Sequence, residues 1–305
     1  MVADTHSAVR TGGSLTTPRP ARSHGAWGRA LTHIAHDYLT LLALSVVLIF
    51  AMLAVFANTV SSSFLHVSPT AIDLLHRFEP PSSAHWLGTD DYGRDQLSRL
   101  LYGARVSLSI GLYAAMINLT IGLTLGLCSA FYGRAVDDVI TWLINTARSV
   151  PSLFLLLIVA SIFKVDATGL AWIIGLTSWM GPARLVRGQA LEVKEREYVA
   201  AARSMGASNR RIMLAHILPN VTPILLIILG IDVGGAILSE SALSYLGLGV
   251  QPPVASWGNM LTNAQNFFTH GPWLVYAPGV AIAVTVWCLY TIGDGLRDAL
   301  DPRSA

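Results

Sequence analysis

The feature that most constrains this chain is a set of long runs without charged side chains. Among its 305 residues, the runs 38–60, 106–133, 167–183 and 241–293 contain no Asp, Glu, Lys or Arg. A helix that crosses a bilayer needs about 20 apolar residues. Charged residues make up only 12% of the chain, against roughly a quarter of a soluble domain. The chain is therefore predicted to be an all-α integral membrane protein.

The apolar runs predict six transmembrane helices, near 38–60, 106–131, 150–164, 168–187, 220–246 and 273–294. A further helix is predicted from Asp137 towards Arg148, with Pro151 at a kink or in a new first turn. The chain is divided into a disordered basic tail at 1–37, a first span with an outer loop at 38–105, and a core at 106–303 that contains a polar loop at 188–219.

The basic residues predict the orientation. If both termini are cytoplasmic, fifteen of the twenty Lys and Arg residues fall on the cytoplasmic side and five fall outside. An excess of Lys and Arg on the cytoplasmic side is the usual determinant of membrane topology. The loop at 188–219 is then cytoplasmic, and the loop between the first two spans is extracytoplasmic.

The stretch 200–219, "AAARSMGASNRRIMLAHILP", interrupts the apolar pattern. Residues 191–205 contain no Gly or Pro and are predicted to be helical, and Gly206 is predicted to end that helix. Ser208 is predicted to cap a second short helix that ends before Pro219. From the residues alone, two interpretations stand: a helix pair on the membrane surface that binds anionic lipid, or a docking element for a cytoplasmic partner.

The same stretch resembles the cytoplasmic loop signature of ABC-transporter permeases: Glu-Ala-Ala, three residues, Gly, nine residues, then Ile-x-Leu-Pro. This chain departs from the signature at two positions, with Ala200 in place of Glu and His216 in place of Ile. The resemblance favours the docking interpretation. The residues predicted to couple the chain to an ATPase are Ala200, Ala201, Ala202, Gly206, Ala207, Ser208, Arg210, Arg211, Leu218 and Pro219.

Longer motifs resemble the dipeptide/oligopeptide/nickel permease family, in particular its C-type subunit. They include "HWLGTDDYGRDQLSRLLYGARVSLSIG" from His85, "EREYVAAARSMGAS" from Glu195 and "LSESALSYLGLGVQPPVASWGNML" from Leu238. The resemblance covers about 30–303. It implies the type I ABC importer architecture, import of peptides, and a complex with a homologous B-type permease, two ATP-binding subunits and an extracytoplasmic binding protein. It also implies that the short helix after Gly206 lies in a groove of an ATPase subunit.

The chain itself is not predicted to be an enzyme, and no catalytic residue, bound cofactor or metal ligand is assigned. It lacks the Gly-x-x-x-x-Gly-Lys-[Ser/Thr] phosphate loop, so ATP and Mg²⁺ are expected to be used by partner subunits. The net charge of +2 gives no indication of a nucleic-acid partner.

The outer loop contains the cluster "GTDDYGRD", with the charged residues Asp90, Asp91, Arg94 and Asp95. It lacks the ligand spacing of a calcium loop. The cluster is interpreted first as a turn capped by Asp side chains, and second as a contact for the binding protein or the partner permease.

Two acidic residues, Asp232 and Glu240, interrupt the fifth span. Asp232 lies about 18 Å along the helix from Asn220, near the middle of the membrane, where a charged residue generally faces a cavity or a partner. Both residues are candidates for lining a translocation path. The alternative for each is a structural hydrogen bond to a neighbouring helix.

Two tryptophans and two glycines complete the structural predictions. Trp257 and Trp273 are predicted to anchor the outer end of the last span at the membrane interface. Gly122 and Gly126 form a Gly-x-x-x-Gly pair that permits close approach of another helix.

Three functional alternatives accompany peptide import. Within the family, the chain is a candidate for import of nickel or another small solute. From other classes of protein, it is a candidate for a proton-coupled secondary transporter that uses Asp232, or for a membrane scaffold whose basic loop binds lipid.

Overall fold

The computed structural model describes residues 28, 34–61, 68–163, 166–262, 264–269 and 271–300. Within these residues the fold is all-α, as predicted. We number nine helices: α1 Tyr38–Val55, α2 Gln96–Tyr132, α3 Arg134–Arg148, α4 Ser152–Ile162, α5 Ala167–Ser178, α6 Met180–Lys194, α7 Glu197–Ser204, α8 Asn209–Tyr245 and α9 Trp273–Leu300. Short helical turns lie at Ala57–Thr59, Leu74–His76, Asn259–Leu261 and Ala264–Phe267. Nearly all of the predicted tail, 1–37, lies outside the described residues.

Four described helices, α1, α2, α8 and α9, are long and apolar enough to cross a membrane, and the bent pair α3 and α4 makes a possible fifth span. The six predicted spans are therefore not all continuous helices. The predicted fourth span, 168–187, is divided between α5 and α6 at Trp179. Pro182 explains the division, since a proline in the first turn of a helix lacks the N–H that would continue the preceding helix.

Two other boundaries differ from the expected ones. Helix α2 begins at Gln96, so the predicted division at 105/106 falls inside a helix that Asp95 caps by accepting a hydrogen bond from the Ser98 N–H at 2.7 Å. The predicted change of direction at Pro151 is confirmed, because α3 and α4 meet there at 83°.

Helix α2 occupies the centre of the bundle and contacts α1, α3, α5, α6, α8 and α9. The predicted close approach at the glycine pair is confirmed. A Cβ atom on Gly122 would lie 2.7 Å from the Pro182 Cβ, and one on Gly126 would lie 2.6 Å from the Ala183 carbonyl oxygen. Only glycine therefore allows α6 to pack this closely on α2.

The predicted helix over 191–205 is wrong in one respect, because the chain turns between α6 and α7. Arg196 adopts an extended conformation before α7 begins at Glu197. The turn allows α7 to bury Val199 in a cluster that includes Ile212, and Ala202 is buried as well. Burial of this apolar face outweighs continuation of the helix, which the absence of Gly and Pro had favoured.

The predicted second short helix is also corrected. From Asn209 the chain runs through a π-helical segment, Ile212–Ile217, into the long helix that ends at Tyr245. Pro219 does not interrupt it, because it lies in the first turn of the α-helical part, Leu218–Tyr245, that follows the π-helical segment, where a proline is tolerated. The loop 188–219 thus contains the end of α6, one separate short helix, α7, and the base of α8, rather than two short helices.

The start of α1 and the end of α9 lie on the same side of the bundle as α7. Thr40 near the start of α1 packs against Gly295 near the end of α9, and the end of α6 contacts the end of α2. The side of the membrane that this end faces stays a prediction from the charge distribution.

Candidate functional site

One candidate site is the surface at 195–211, where α6, α7 and α8 meet, which we call the α7–α8 tip. Of the ten predicted coupling residues, seven are exposed: Ala200, Ala201, Gly206, Ser208, Arg210, Arg211 and Pro219. Ala202 is buried, whereas Ala207 and Leu218 are half-buried. Met205, which precedes the turn, is 82% exposed. The tip therefore exposes both basic side chains and a large apolar one.

The predicted stop and restart around Gly206 are confirmed. Gly206 has φ +83° and ends α7. The Ala207 N–H donates to the Ala202 carbonyl at 3.1 Å, and the Gly206 N–H donates to the Arg203 carbonyl at 3.0 Å. These two bonds form a Schellman motif, which requires a left-handed residue at the Gly206 position. Ser208 then caps α8 by accepting from the Arg211 N–H at 3.4 Å.

The tip is attached firmly to the rest of the bundle. Lys194, at the end of α6, donates to the carbonyl oxygens of Ala130 and Phe131 at 2.8 and 3.0 Å, and so caps the end of α2. Arg187 in α6 forms a bidentate pair with Asp137 in α3, both distances being 2.6 Å. Such a pair fixes geometry as well as adding energy. These contacts join α6, which leads directly into α7, to α2 and α3.

A second candidate site is a cavity of about 160 Å³ between α2, α5 and α8, which we call the mid-helix cavity. Its polar lining consists of Asn118 from α2, Ser178 from α5, and Asp232 and Ser239 from α8. Asp232 lies near the middle of Leu218–Tyr245 and accepts a hydrogen bond from Asn118 Nδ2 at 2.9 Å. The sequence left two alternatives for Asp232, a position that lines a cavity and a hydrogen bond to a neighbouring helix. The structure shows both.

Glu240 has a different environment, since none of its surface is exposed. Its carboxylate accepts from the hydroxyls of Ser107 at 2.9 Å and Ser244 at 2.7 Å. These hydroxyls in turn accept from the backbone N–H groups of Trp257 at 3.1 Å and Val250 at 3.0 Å. The geometry therefore favours the structural alternative for Glu240, which holds the α8–α9 loop against α2.

The outer-loop cluster is a capped turn, as its first interpretation predicted. Asp90 accepts from the N–H groups of Tyr92 and Arg94, both at 2.9 Å, and pairs with Arg94 Nε at 2.7 Å and Arg99 Nε at 3.3 Å. Asp95 caps α2 and also bonds His85 Nδ1 at 2.9 Å. Asp90 and Asp95 are only 6% and 4% exposed, so their side chains are committed within the loop.

Asp91 is the more accessible acid of this cluster, with 25% of its side chain exposed. Burial raises the pKa of the Asp91 carboxyl above its usual value, and the neighbouring Asp90 charge raises it further. Of the four charged residues in the cluster, Asp91 is best placed for a contact with another protein, which stays a prediction.

The predicted interfacial role of Trp257 is wrong. The side chain is 2% exposed, and its Nε1–H donates to the Leu100 carbonyl at 3.0 Å in the packed interior. Trp273 donates from Nε1 to the Thr89 carbonyl at 3.4 Å and so connects the start of α9 to the outer loop. An indole in an apolar run fits a buried pocket as well as a membrane interface when a partner for its N–H is present.

Several functional side chains were missed from the sequence. Asn118 was passed over within an uncharged run, although a buried amide in a membrane helix generally bonds across to a neighbouring helix. Ser107 and Ser244 were missed because serine is common in such helices. Nothing in the sequence pairs Asp137 with Arg187, since the two lie on helices separated by the whole of α4 and α5.

An all-helical bundle with several helices of membrane-spanning length defines an integral membrane protein. Solved structures with this fold include two crystal forms of the MetNI methionine ABC transporter in inward-facing conformations. One matches with a TM-score of 0.53 at 18% identity, covering 67% of this chain and 96% of that one. The other matches with a TM-score of 0.52 at 21% identity, covering 67% and 97%. These likenesses establish the fold.

The chain belongs to the family described as binding-protein-dependent transport system inner membrane component, whose profile matches residues 120–305. The dipeptide transport system permease protein DppC of Alkalihalophilus pseudofirmus is 36% identical over 91% of this chain and 90% of its own. The oligopeptide transport system permease protein OppC of Bacillus subtilis is 36% identical over 92% and 91%. OppC of Mycobacterium bovis is 37% identical over 76% and 81%. The protein is thus a membrane permease subunit.

Proposed function

We propose that this chain forms half of the translocation channel of an ATP-driven importer for dipeptides and oligopeptides. The observation that carries the proposal is similarity, over 91% and 92% of this chain, to permease proteins whose names specify dipeptide and oligopeptide transport. The α7–α8 tip supports it, because an importer driven by separate ATPases needs an exposed surface connected to its spans. Helix α6 leads directly into the tip, and its Lys194 and Arg187 side chains bond to α2 and α3.

The proposed complex contains a homologous B-type permease, two ATP-binding subunits and an extracytoplasmic binding protein that delivers the peptide. ATP hydrolysis is assigned to the ATP-binding subunits, with ATP and Mg²⁺ bound there. ATP and the loaded binding protein then act on one conformational equilibrium of the permease, and each shifts it only as far as its affinities for the two states differ.

The docking element is assigned to α7 and the turn at Gly206 rather than to a helix after the turn. Helix α7 is short and separate, whereas the residues after Ser208 are the base of α8. Met205 has the exposure and shape to insert into an apolar groove, and Arg203, Arg210 and Arg211 are exposed on the same tip. Ala200 stands where the family signature has Glu, so α7 docks here without that carboxylate.

Two substitutions at Gly206 test this assignment. Gly206→Val places a β-branched residue at φ +83°, which such residues adopt only at a substantial cost. The turn should distort, and ATP-dependent peptide uptake by the complete complex in liposomes should fall at least tenfold. Gly206→Asn is the matched control, because asparagine tolerates the left-handed conformation, and it should retain most of the uptake.

Membrane insertion and recovery of the ATP-binding subunits with the affinity-purified permease are measured in parallel. We expect Gly206→Val to remain in the membrane and to lose most of the bound ATP-binding subunits. Full uptake and full recovery of these subunits with Gly206→Val would show that the tip is not the docking element. The lipid-binding alternative predicts this same result.

A further inference from the structure

The mid-helix cavity has an unusual balance of hydrogen-bonding groups. Asp232 and Asn118 belong to different helices, α8 and α2, and are joined by the Asn118 Nδ2 to Asp232 Oδ2 bond of 2.9 Å. An ionised carboxylate only accepts hydrogen bonds, so the Asn118 amide must turn its nitrogen towards Asp232. In this orientation the amide oxygen of Asn118, which is a second acceptor, takes no part in the bond to Asp232.

The Asn118 oxygen is buried and has no hydrogen-bond partner among the described residues. Asn118 itself is only 5% exposed. A buried acceptor without a donor is costly, and buried polar groups in native proteins are generally paired. The unpaired oxygen, the carboxylate and the Ser178 and Ser239 hydroxyls all line the same cavity.

The cavity also has no basic group to balance Asp232. In the part of the chain that the structure describes, no Lys, Arg or His nitrogen forms an ion pair with this carboxylate. A carboxylate that is partly removed from water is stabilised by a cation that also donates hydrogen bonds. An alkylammonium group meets both needs, since it carries one positive charge and three donors.

We propose that Asn118 and Asp232 form a subsite that binds the ammonium group of a peptide during its passage through the channel. The cavity, at about 160 Å³, is smaller than a pocket for a whole ligand, which usually exceeds about 300 Å³. It fits a terminal group rather than a complete peptide. This inference rests on the proposed function, because it takes the transported solute to be a peptide.

The subsite explains how a charged peptide terminus crosses a low-dielectric region. Moving an ammonium group out of water is costly unless an opposite charge accompanies it. Asp232 supplies that charge near the middle of Leu218–Tyr245, and the Asn118 oxygen accepts a hydrogen bond from one ammonium N–H. Small residues beside the carboxylate, Gly235 and Ala236, leave space for the group to approach and depart.

The first test measures binding by the purified complex in detergent without the binding protein. Trialanine should raise its thermal unfolding midpoint, because a ligand that binds only the folded state stabilises it. N-acetyl-trialanine, which lacks the ammonium group, should raise it much less. N-acetyl-Ala-Lys-Ala-amide carries only a side-chain ammonium and distinguishes a site for any alkylammonium from one for the peptide terminus. Equal shifts for trialanine and N-acetyl-trialanine overturn the proposal, and so does the absence of a shift with trialanine.

Two variants separate charge from structure. Asp232→Asn keeps a hydrogen bond to Asn118 but removes the charge, and should reduce trialanine stabilisation and uptake about tenfold, in line with the strength of a charge-assisted hydrogen bond. The exchange Asn118→Asp with Asp232→Asn restores one carboxylate and one amide on opposite helices. It should recover both readouts to within about threefold of the wild type.

Further outcomes have fixed meanings. If Asp232→Asn behaves like the wild type, the working form of Asp232 is neutral and the ammonium subsite is refuted. If the single variant and the exchange lose uptake and complex assembly equally, the pair is only structural and the proposal is also refuted. Failure of the proposed function gives a different result from failure of the subsite. The wild-type complex would then import no trialanine with ATP, whether or not trialanine raises its unfolding midpoint.

Discussion

At the scale of single residues, burial and partners distinguish two acids that the sequence presents alike. Asp232 and Glu240 lie on the same helix in the same apolar run. Asp232 faces a cavity with one amide partner, whereas Glu240 is fully buried between serine hydroxyls. Helix periodicity does not reveal this difference, because it depends on which residues of α2 and of the α8–α9 loop face each acid.

Glu240 provides a stability prediction at this scale. In Glu240→Ala the hydroxyls of Ser107 and Ser244 lose their acceptor, and the loop at Val250 and Trp257 loses its support. The free energy of unfolding should fall by about 3 kcal/mol, since each buried unsatisfied group costs about 1–3 kcal/mol. Thermal unfolding in detergent should show a midpoint lower by about 5 °C.

Glu240→Gln serves as the control for that change. Glutamine retains an acceptor oxygen, so its effect should be smaller than that of alanine. An unchanged midpoint in Glu240→Ala would contradict the structural role assigned to this residue.

At the scale of helices, the sequence predicted a helix boundary correctly where a single residue determines that boundary. Gly206 and Ser208 end one helix and start the next by their own backbone and side-chain chemistry, and the sequence predicted both. The turn between α6 and α7 could not be predicted from one residue type. It depends on burial of Val199 in a cluster that includes Ile212 from α8. The buried position of Trp257 likewise depends on contacts with α2.

The packing of α2 on α6 gives an element-scale prediction. Gly126→Leu would drive a side chain into the Ala183 carbonyl and Val186, and α6 would have to move away from α2. We expect little folded complex to be recovered and the remainder to unfold at a clearly lower temperature, because overpacking typically costs about 1–3 kcal/mol. Size-exclusion chromatography and thermal unfolding measure both effects.

Gly188→Leu is the matched control. Gly188 lies within α6 but is exposed, and a Cβ atom there has no neighbour within 4 Å. The same glycine-to-leucine change should therefore leave recovery and unfolding near those of the wild type. If both variants lowered recovery and the unfolding temperature equally, the close contact at Gly126 would not be the cause of the loss.

At the scale of the whole molecule, the apolar runs identified a helical membrane protein, and the structure and relatives agree. The number of continuous spans was less predictable, since Pro182 divides one predicted span between two helices, α5 and α6. We propose that α7 and the Gly206 turn receive the movement of the ATPase subunits and that α6 passes this movement to α2 and α3. The mid-helix cavity lies beside α2, one of the helices that would move.

The most direct test of this account is peptide uptake by the complete complex in liposomes that contain the binding protein on one side. We predict that uptake requires hydrolysable ATP in the compartment that faces the α7–α8 tip, and that a pH gradient without ATP gives none. Uptake driven by a pH gradient alone would contradict the account and would instead favour a proton-coupled transporter that uses Asp232.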